Sequence, residues 1–200
     1  MTGDIRKRLE QAAWVARTLF QRGRVTGNTG NISLRIGERI YVSASGSTFA
    51  SLTEVQFGVT DLDGRILEGP KMSKEWPLHL AVYRARKEVG AVIHTHSLYS
   101  VLWSCLEHEN EEDCIPDHTP YLRMKLGSVG LVPYEPPGSP ALFRAFEQRL
   151  ERSDGWLLRR HGAVVPGRDV MDAFFCLEEL EESAHVAWEL CKKCNILCRP

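Results

Sequence analysis

No apolar run in the 200-residue chain approaches the roughly 20 residues that a membrane-spanning helix needs. The first residues, Met1 to Arg8, lack the apolar stretch of a secretory signal. Charge of one sign is not in excess: 25 Lys+Arg face 26 Asp+Glu, a net charge of −1. Such a chain projects no long-range field to gather nucleic acid or anionic lipid, so neither is expected as a partner. Cysteine is too sparse for a disulfide framework, with six in all and three of them at 191, 194 and 198. A reduced, cytoplasmic protein is the expectation. There is no Walker A loop, no dinucleotide fingerprint, no internal repeat and no linker rich enough to divide the chain. One domain over residues 1–200 is therefore expected, long enough to bury roughly 70% of its unfolded surface. With 43% hydrophobic and 26% charged residues, disorder is excluded, and function must reside in a local site.

Apolar residues at helical spacing from Ile5 to Phe20 predict a first helix, ended by Gly23. A Gly/Asn-rich loop, 26–33, leads into strands near 32–35 and 39–43, joined by a turn at 36–38. A second turn at 61–64 separates strands near 58–60 and 65–68. Ser73 is expected to cap a helix that carries Glu75 and Pro77 in its first turn. Residues 90–96 read as an apolar strand ending in polar chemistry, followed by a helix over 97–106 and an acidic surface loop over 107–118. A strand over 131–134, a Pro/Gly loop over 136–140, a helix over 140–151 and strands over 155–160 and around 164–165 follow. Asp169 caps a last, long helix. In it, the run Glu178 to Glu182 reads as a solvated face, and Cys191, Cys194 and Cys198 read as ordinary thiols. Four tryptophans, Trp14, Trp103, Trp156 and Trp188, are assigned to the core, and Trp76, beside Glu75, is placed to shape the site. The order of elements predicts one sheet covered by helices on both faces, and the early hairpins make it antiparallel or mixed.

The chemistry concentrates at His94-Thr95-His96. Strand residues i and i+2 point to one face, about 6.6–6.8 Å apart, so two imidazoles can converge on one metal. His161, before Gly162 at the end of another strand, is the best third ligand, and three histidines with an open position suit catalytic zinc. The alternative is a set of hydrogen-bonded strand-end histidines without a metal. His79, His108, His118 and His185 read as surface or packed residues. Glu75 reads either as a carboxylate soothing a helix dipole or, beside a metal and a phosphate site, as an acid/base for carbon. Ser73 and Lys74 at that helix start, and the loops 27–31 and 43–47, can offer N–H groups and one cation to an anion.

The segments Gly27-Asn-Thr-Gly-Asn-Ile-Ser33, Ser45-Gly46, Ser73-Lys-Glu-Trp76, His94-Thr-His96 and Arg160-His-Gly162, in that order, resemble the class II aldolase/adducin family over about residues 5–190. The resemblance implies a three-layer α/β/α sandwich around a mainly antiparallel sheet, and often a fourfold-symmetric homotetramer with sites between subunits. It implies His94, His96 and His161 as ligands of a divalent metal, Zn2+ or else Mn2+, with Glu75 as acid/base and as a further ligand before substrate arrives. Gly30, Asn31, Ser45, Gly46, Ser73 and Lys74 would bind the substrate phosphate; Lys74 departs from the aldolase, which has a serine there. Tyr121, in its own or a neighbouring subunit, would match the aldolase tyrosine. Segments 97–107, 119–127 and 131–138 are most similar to the 3-oxo-tetronate 4-phosphate decarboxylase branch. That branch implies a lyase that loses CO2 from a phosphorylated sugar acid through a metal-held ene-diolate of dihydroxyacetone phosphate. Arg123 or Lys125 is the expected seat for the substrate carboxylate. The alternatives are a fuculose-phosphate-type aldolase, which releases an aldehyde instead, and a non-catalytic adducin-like protein; adducin-like relatives lose metal ligands that this chain keeps.

Overall fold

The computed structural model describes residues 3–194. Eight strands form one sheet in the order β4-β3-β2-β1-β5-β8-β7-β6. They are β1 (Asn31–Ile36), β2 (Arg39–Ser43), β3 (Phe57–Asp61), β4 (Ile66–Glu68), β5 (Ala91–Thr95), β6 (Val129–Val132), β7 (Gly155–Leu158) and β8 (Gly162–Gly167). Every neighbouring pair is antiparallel except β6 and β7. That exception follows from connection length: β7 is reached from β6 through a crossover helix, whereas the hairpins β1–β2 and β7–β8 need only a few residues. The strand expected at 131–134 lies two residues earlier, because Pro133 cannot donate to a ladder.

Among the described residues the α-helices are α1 (Gly3–Gln21), α2 (Trp76–Ala85), α3 (Leu98–Ser104), α4 (Tyr121–Lys125), α5 (Pro140–Glu147) and α6 (Val170–Cys194). Alternation along the strands sorts them into layers. Ile93, Leu157 and Val165 pack with α1, α3, α4 and α6, while Val92, Leu158 and Val164 pack with α2 and α5. This is the α/β/α sandwich. Each central strand is buried on both faces, so β5, β7 and β8 read as nearly continuous apolar runs.

Asp169 caps α6 as expected, its Oδ1 accepting the Met171 and Asp172 N–H groups. Other expectations need correction. Trp14 is 48% exposed, lying edge-on to Phe174 instead of entering the core. Trp76 packs against the α2–α5 core and lines no part of the site. Helix α5 stops at Glu147, short of 151. The acidic run is not a uniformly solvated face, because Glu181 is 1% exposed. Cys191 is buried in α6, while Cys198 and the Cys194 side chain lie outside the described residues.

Candidate metal centre

Strand β5 delivers His94 inside the sheet and His96 one step past its end, on the same face. Asn31 of β1 sits directly opposite His94 in register. His161 is not at a strand end: it follows Arg160, φ 58°, in the tight turn between β7 and β8. Gly162 permits that turn, since a Cβ there would stand 2.1 Å from the Thr95 carbonyl oxygen. Gly30 has φ 77°, and its Cβ would stand 2.9 Å from the His94 carbonyl oxygen, so two of the recognisable motif glycines exist to let loops close against β5.

Ser73 is not the cap of α2. Its carbonyl accepts the Trp76 N–H, and Glu75 takes the N-cap position. Glu75 makes no side-chain bond to its own helix end; its carboxylate turns to the imidazoles instead. Oε2 lies 3.3 Å from His94 Nε2 and Oε1 3.4 Å from His161 Nε2. His94 Nε2 lies 3.1 Å from His96 Nε2. One donor atom from each of Glu75, His94, His96 and His161 falls within 4.8 Å of the others.

This cluster lacks what a metal-free site would need. His94 Nδ1 is 2.8 Å from the Ala163 carbonyl, which can only accept, so Nδ1 carries a proton and Nε2 is the ring nitrogen turned inward. There it faces a carboxylate oxygen and a second imidazole nitrogen. Glu75 Oε1 and both His161 ring nitrogens are buried without any hydrogen-bond partner among the described residues. Buried polar atoms rarely stay unpaired, and a divalent ion held by these four side chains satisfies the donor set. Burial, reinforced by His94, lowers His96 to about 3 and His161 to about 4, leaving both rings neutral, as ligands must be. Burial raises the Glu75 carboxyl, and the hydrogen bond and charge it meets as the neighbouring imidazoles, His94 foremost, take up protons outweigh that and bring it down to about 2.

Beside the centre opens a cavity of about 350 Å³, lined by residues 28–31, 44–47 and 73–75 with His96, Pro137 and His161. All six residues singled out for phosphate are there: Gly30, Asn31, Ser45, Gly46, Ser73 and Lys74. The Ser45 N–H is committed to the Lys71 carbonyl, which leaves its hydroxyl for a ligand. Tyr121 is not brought in. It is 58% exposed on α4 and lines no part of the cavity. Arg123 is tied to Asp113 and Asp117 and Lys125 lies over the Phe175 ring, so neither reaches this cavity in its own chain. Sequence reasoning missed His79, which is fully buried and hydrogen-bonds Asn31. Its spacing of four from Tyr83, on the inward stripe of α2, was the available signal.

A lyase of the class II aldolase type is what this sandwich and this His/Glu centre describe. Residues 10–188 match the family described as Class II Aldolase and Adducin N-terminal domain, and the chain belongs to that family. The chain is 37% identical over 177 residues to a 3-oxo-tetronate 4-phosphate decarboxylase of Haemophilus influenzae, covering 88% of this chain and 84% of that one. It is 38% identical over 170 residues to an L-fuculose phosphate aldolase of Methanocaldococcus jannaschii, covering 85% and 90%. Among solved structures, YgbL of Klebsiella pneumoniae superposes with a TM-score of 0.89 at 34% identity, covering 95% of this chain and 91% of the other. No helix among the described residues is long and apolar enough to cross a membrane.

Proposed function

We propose that the chain decarboxylates a 3-oxo-tetronate 4-phosphate to dihydroxyacetone phosphate and CO2. One observation carries the reading: an ionised, half-orphaned Glu75 lies between three imidazoles at the edge of a cavity rimmed by hydroxyls, glycine loops and one ammonium. His94, His96, His161 and, before substrate arrives, Glu75 would hold the metal; three imidazoles favour zinc over manganese. The ion would supply Lewis-acid chemistry at the keto and neighbouring hydroxyl oxygens of the substrate.

The remaining steps belong to the chain's own residues. Lys74 and the Ser45 and Ser73 hydroxyls, with the Gly30–Asn31 and Ser45–Gly46 loops, bind the phosphate and so fix the distance from phosphorus to the reacting carbons. Departure of CO2 breaks the C1–C2 bond and leaves its electron pair on C2. One proton must then reach C2, and Glu75 is the acid/base that carries it. The Ala163 carbonyl, by accepting from Nδ1, keeps the His94 ring oriented with Nε2 toward the centre.

The fuculose-phosphate-type aldolase is the second reading, and the Methanocaldococcus relative favours it. It shares the ene-diolate but needs an acid for an aldehyde oxygen. Tyr121 could serve only from a neighbouring subunit, because it lies outside its own cavity; a cytoplasmic homotetramer is part of either reading. The adducin-like reading has no support in an intact four-donor cluster.

A panel of 3-oxo-tetronate 4-phosphates and ketose 1-phosphates, with CO2 and dihydroxyacetone phosphate both measured, separates the readings. CO2 and dihydroxyacetone phosphate in equal amounts support the decarboxylase. Dihydroxyacetone phosphate with an aldehyde and no CO2 overturns it. Elemental analysis of purified protein tests the ion independently of turnover, with about one zinc per chain expected.

A further inference from the structure

A chain of hydrogen bonds runs from the core of α2 to the wall of the cavity. The Tyr83 hydroxyl lies 2.8 Å from Ser33 Oγ. Ser33 Oγ lies 2.7 Å from His79 Nδ1. His79 Nε2 meets Asn31 Oδ1. Tyr83, Ser33 and His79 are at most 1% exposed, and Asn31 is 2% exposed yet lines the cavity.

The direction of the chain is decided at its buried end. Tyr83 must place its hydroxyl proton on an acceptor, and Ser33 Oγ is the side-chain oxygen beside it. Burial pushes the phenol's pKa up, so it never surrenders that proton in the working range. Ser33, having accepted, donates to His79 Nδ1. The neutral ring then carries its proton on Nε2 and donates to Asn31 Oδ1. In the reverse arrangement the Tyr83 proton would have no side-chain acceptor among the described residues. Burial lowers His79 to about 3, in keeping with a ring that stays neutral. With Oδ1 engaged by His79, the Asn31 amide is left with Nδ2, which no hydrogen bond among the described residues uses.

We propose that His79 is a positioning residue that fixes the Asn31 amide with its NH2 turned to the cavity, as a donor to the anionic substrate. Without it the amide could flip and present its oxygen, which repels an anion. The register of Asn31 opposite His94 puts this donor where the phosphate loop meets the imidazoles. The proposal rests on the reading of the cavity as a substrate-phosphate site.

Two measurements on the metal-loaded enzyme test it. In 15N-labelled protein between pH 6 and 8, the His79 ring should show a protonated Nε2 and a bare Nδ1. A protonated Nδ1 overturns the proposal, whatever the cavity binds. Next, inorganic phosphate is titrated into wild type, H79L, N31A and the double variant. H79L and N31A should each weaken binding roughly 10-fold, and the double variant should be no worse than N31A alone. Independent, multiplying losses overturn the proposal, since a merely structural His79 would act without Asn31. K74A keeps the two failures apart. If neither K74A nor N31A weakens phosphate binding, the cavity reading is wrong; if both do and H79L does not, only the positioning role is wrong.

Discussion

Glu75 and Glu181 are both buried glutamates, 5% and 1% exposed, and they are opposite in every other respect. Glu181 reaches from α6 to the start of α3. Its Oε1 accepts the Tyr99 N–H at 2.9 Å, and its Oε2 accepts the Ser100 N–H at 2.9 Å and hydroxyl at 2.7 Å. Arg24 stands 3.6 Å away. Ser97, at the N-cap of α3, makes no capping bond, so a carboxylate from another helix does the capping. Glu75 stands at the N-cap of its own helix and declines to cap it, with one oxygen left unpaired. The comparison separates structure from function: a satisfied buried carboxylate holds the fold, and an unsatisfied one beside imidazoles awaits a ligand.

The largest way to sharpen that contrast is to remove the ligand set. His96→Ala should abolish stoichiometric zinc, measured by elemental analysis after dialysis, while Glu181→Ala should retain it. Full occupancy in His96→Ala would contradict the assignment. Next in size is stability. Glu181→Ala strands the buried Ser100 N–H, the half-buried Tyr99 N–H and Arg24, so it should cost about 2–4 kcal/mol in denaturant unfolding. Glu75→Gln should cost the metal-free protein less than Glu181→Ala does, since Glu75 accepts no backbone N–H and meets only the imidazoles at 3.3 and 3.4 Å.

Lys74→Ala should raise KM for the phosphorylated substrate about 10-fold with kcat little changed, because phosphate binding is shared by ground and transition states. An equal fall in kcat would show that Lys74 acts on the reacting carbons instead. A further effect concerns pH. His79, His96 and His161 are held at about 3, 3 and 4, below the unfolded value near 6.5. Below that value the unfolded chain binds more protons than the native one, so stability of the metal-free protein falls as pH drops from 6.5 toward 4. Thermal unfolding of the chelated protein at pH 7 and 5 measures this, with the lower midpoint expected at pH 5. Glu181→Ala should leave that slope intact, and His96→Ala, which removes one of the three histidines, should reduce it by about a third.

Much of the sheet was legible because β1, β2 and β3 are joined or bounded by Gly-containing turns and β5 is a short, nearly continuous apolar run. The pair His94 and His96 was legible because a strand repeats every two residues. His161 was singled out as a strand-end histidine before Gly162 and Glu75 by its place at a helix start, but their convergence was not derivable from spacing, since it depends on how three loops close on β5. Glu181 was misread because the acidic run hid the stripe beneath it. Leu177, Leu180, Glu181 and Ala184 share one apolar face of α6, and that periodicity should outweigh local charge. Tyr121, Arg123 and Lys125 were placed by analogy, and their own chain's fold points them elsewhere.

In the proposed reaction Glu75 moves the proton to carbon, a step that hydrogen exchange reads without turnover. Wild type should exchange a carbon-bound hydrogen of dihydroxyacetone phosphate with deuterated water. Glu75→Gln should keep fold and phosphate binding, lose at least about 100-fold in kcat, and stop that exchange. Exchange at the wild-type rate in Glu75→Gln would contradict the account and assign the proton to another group.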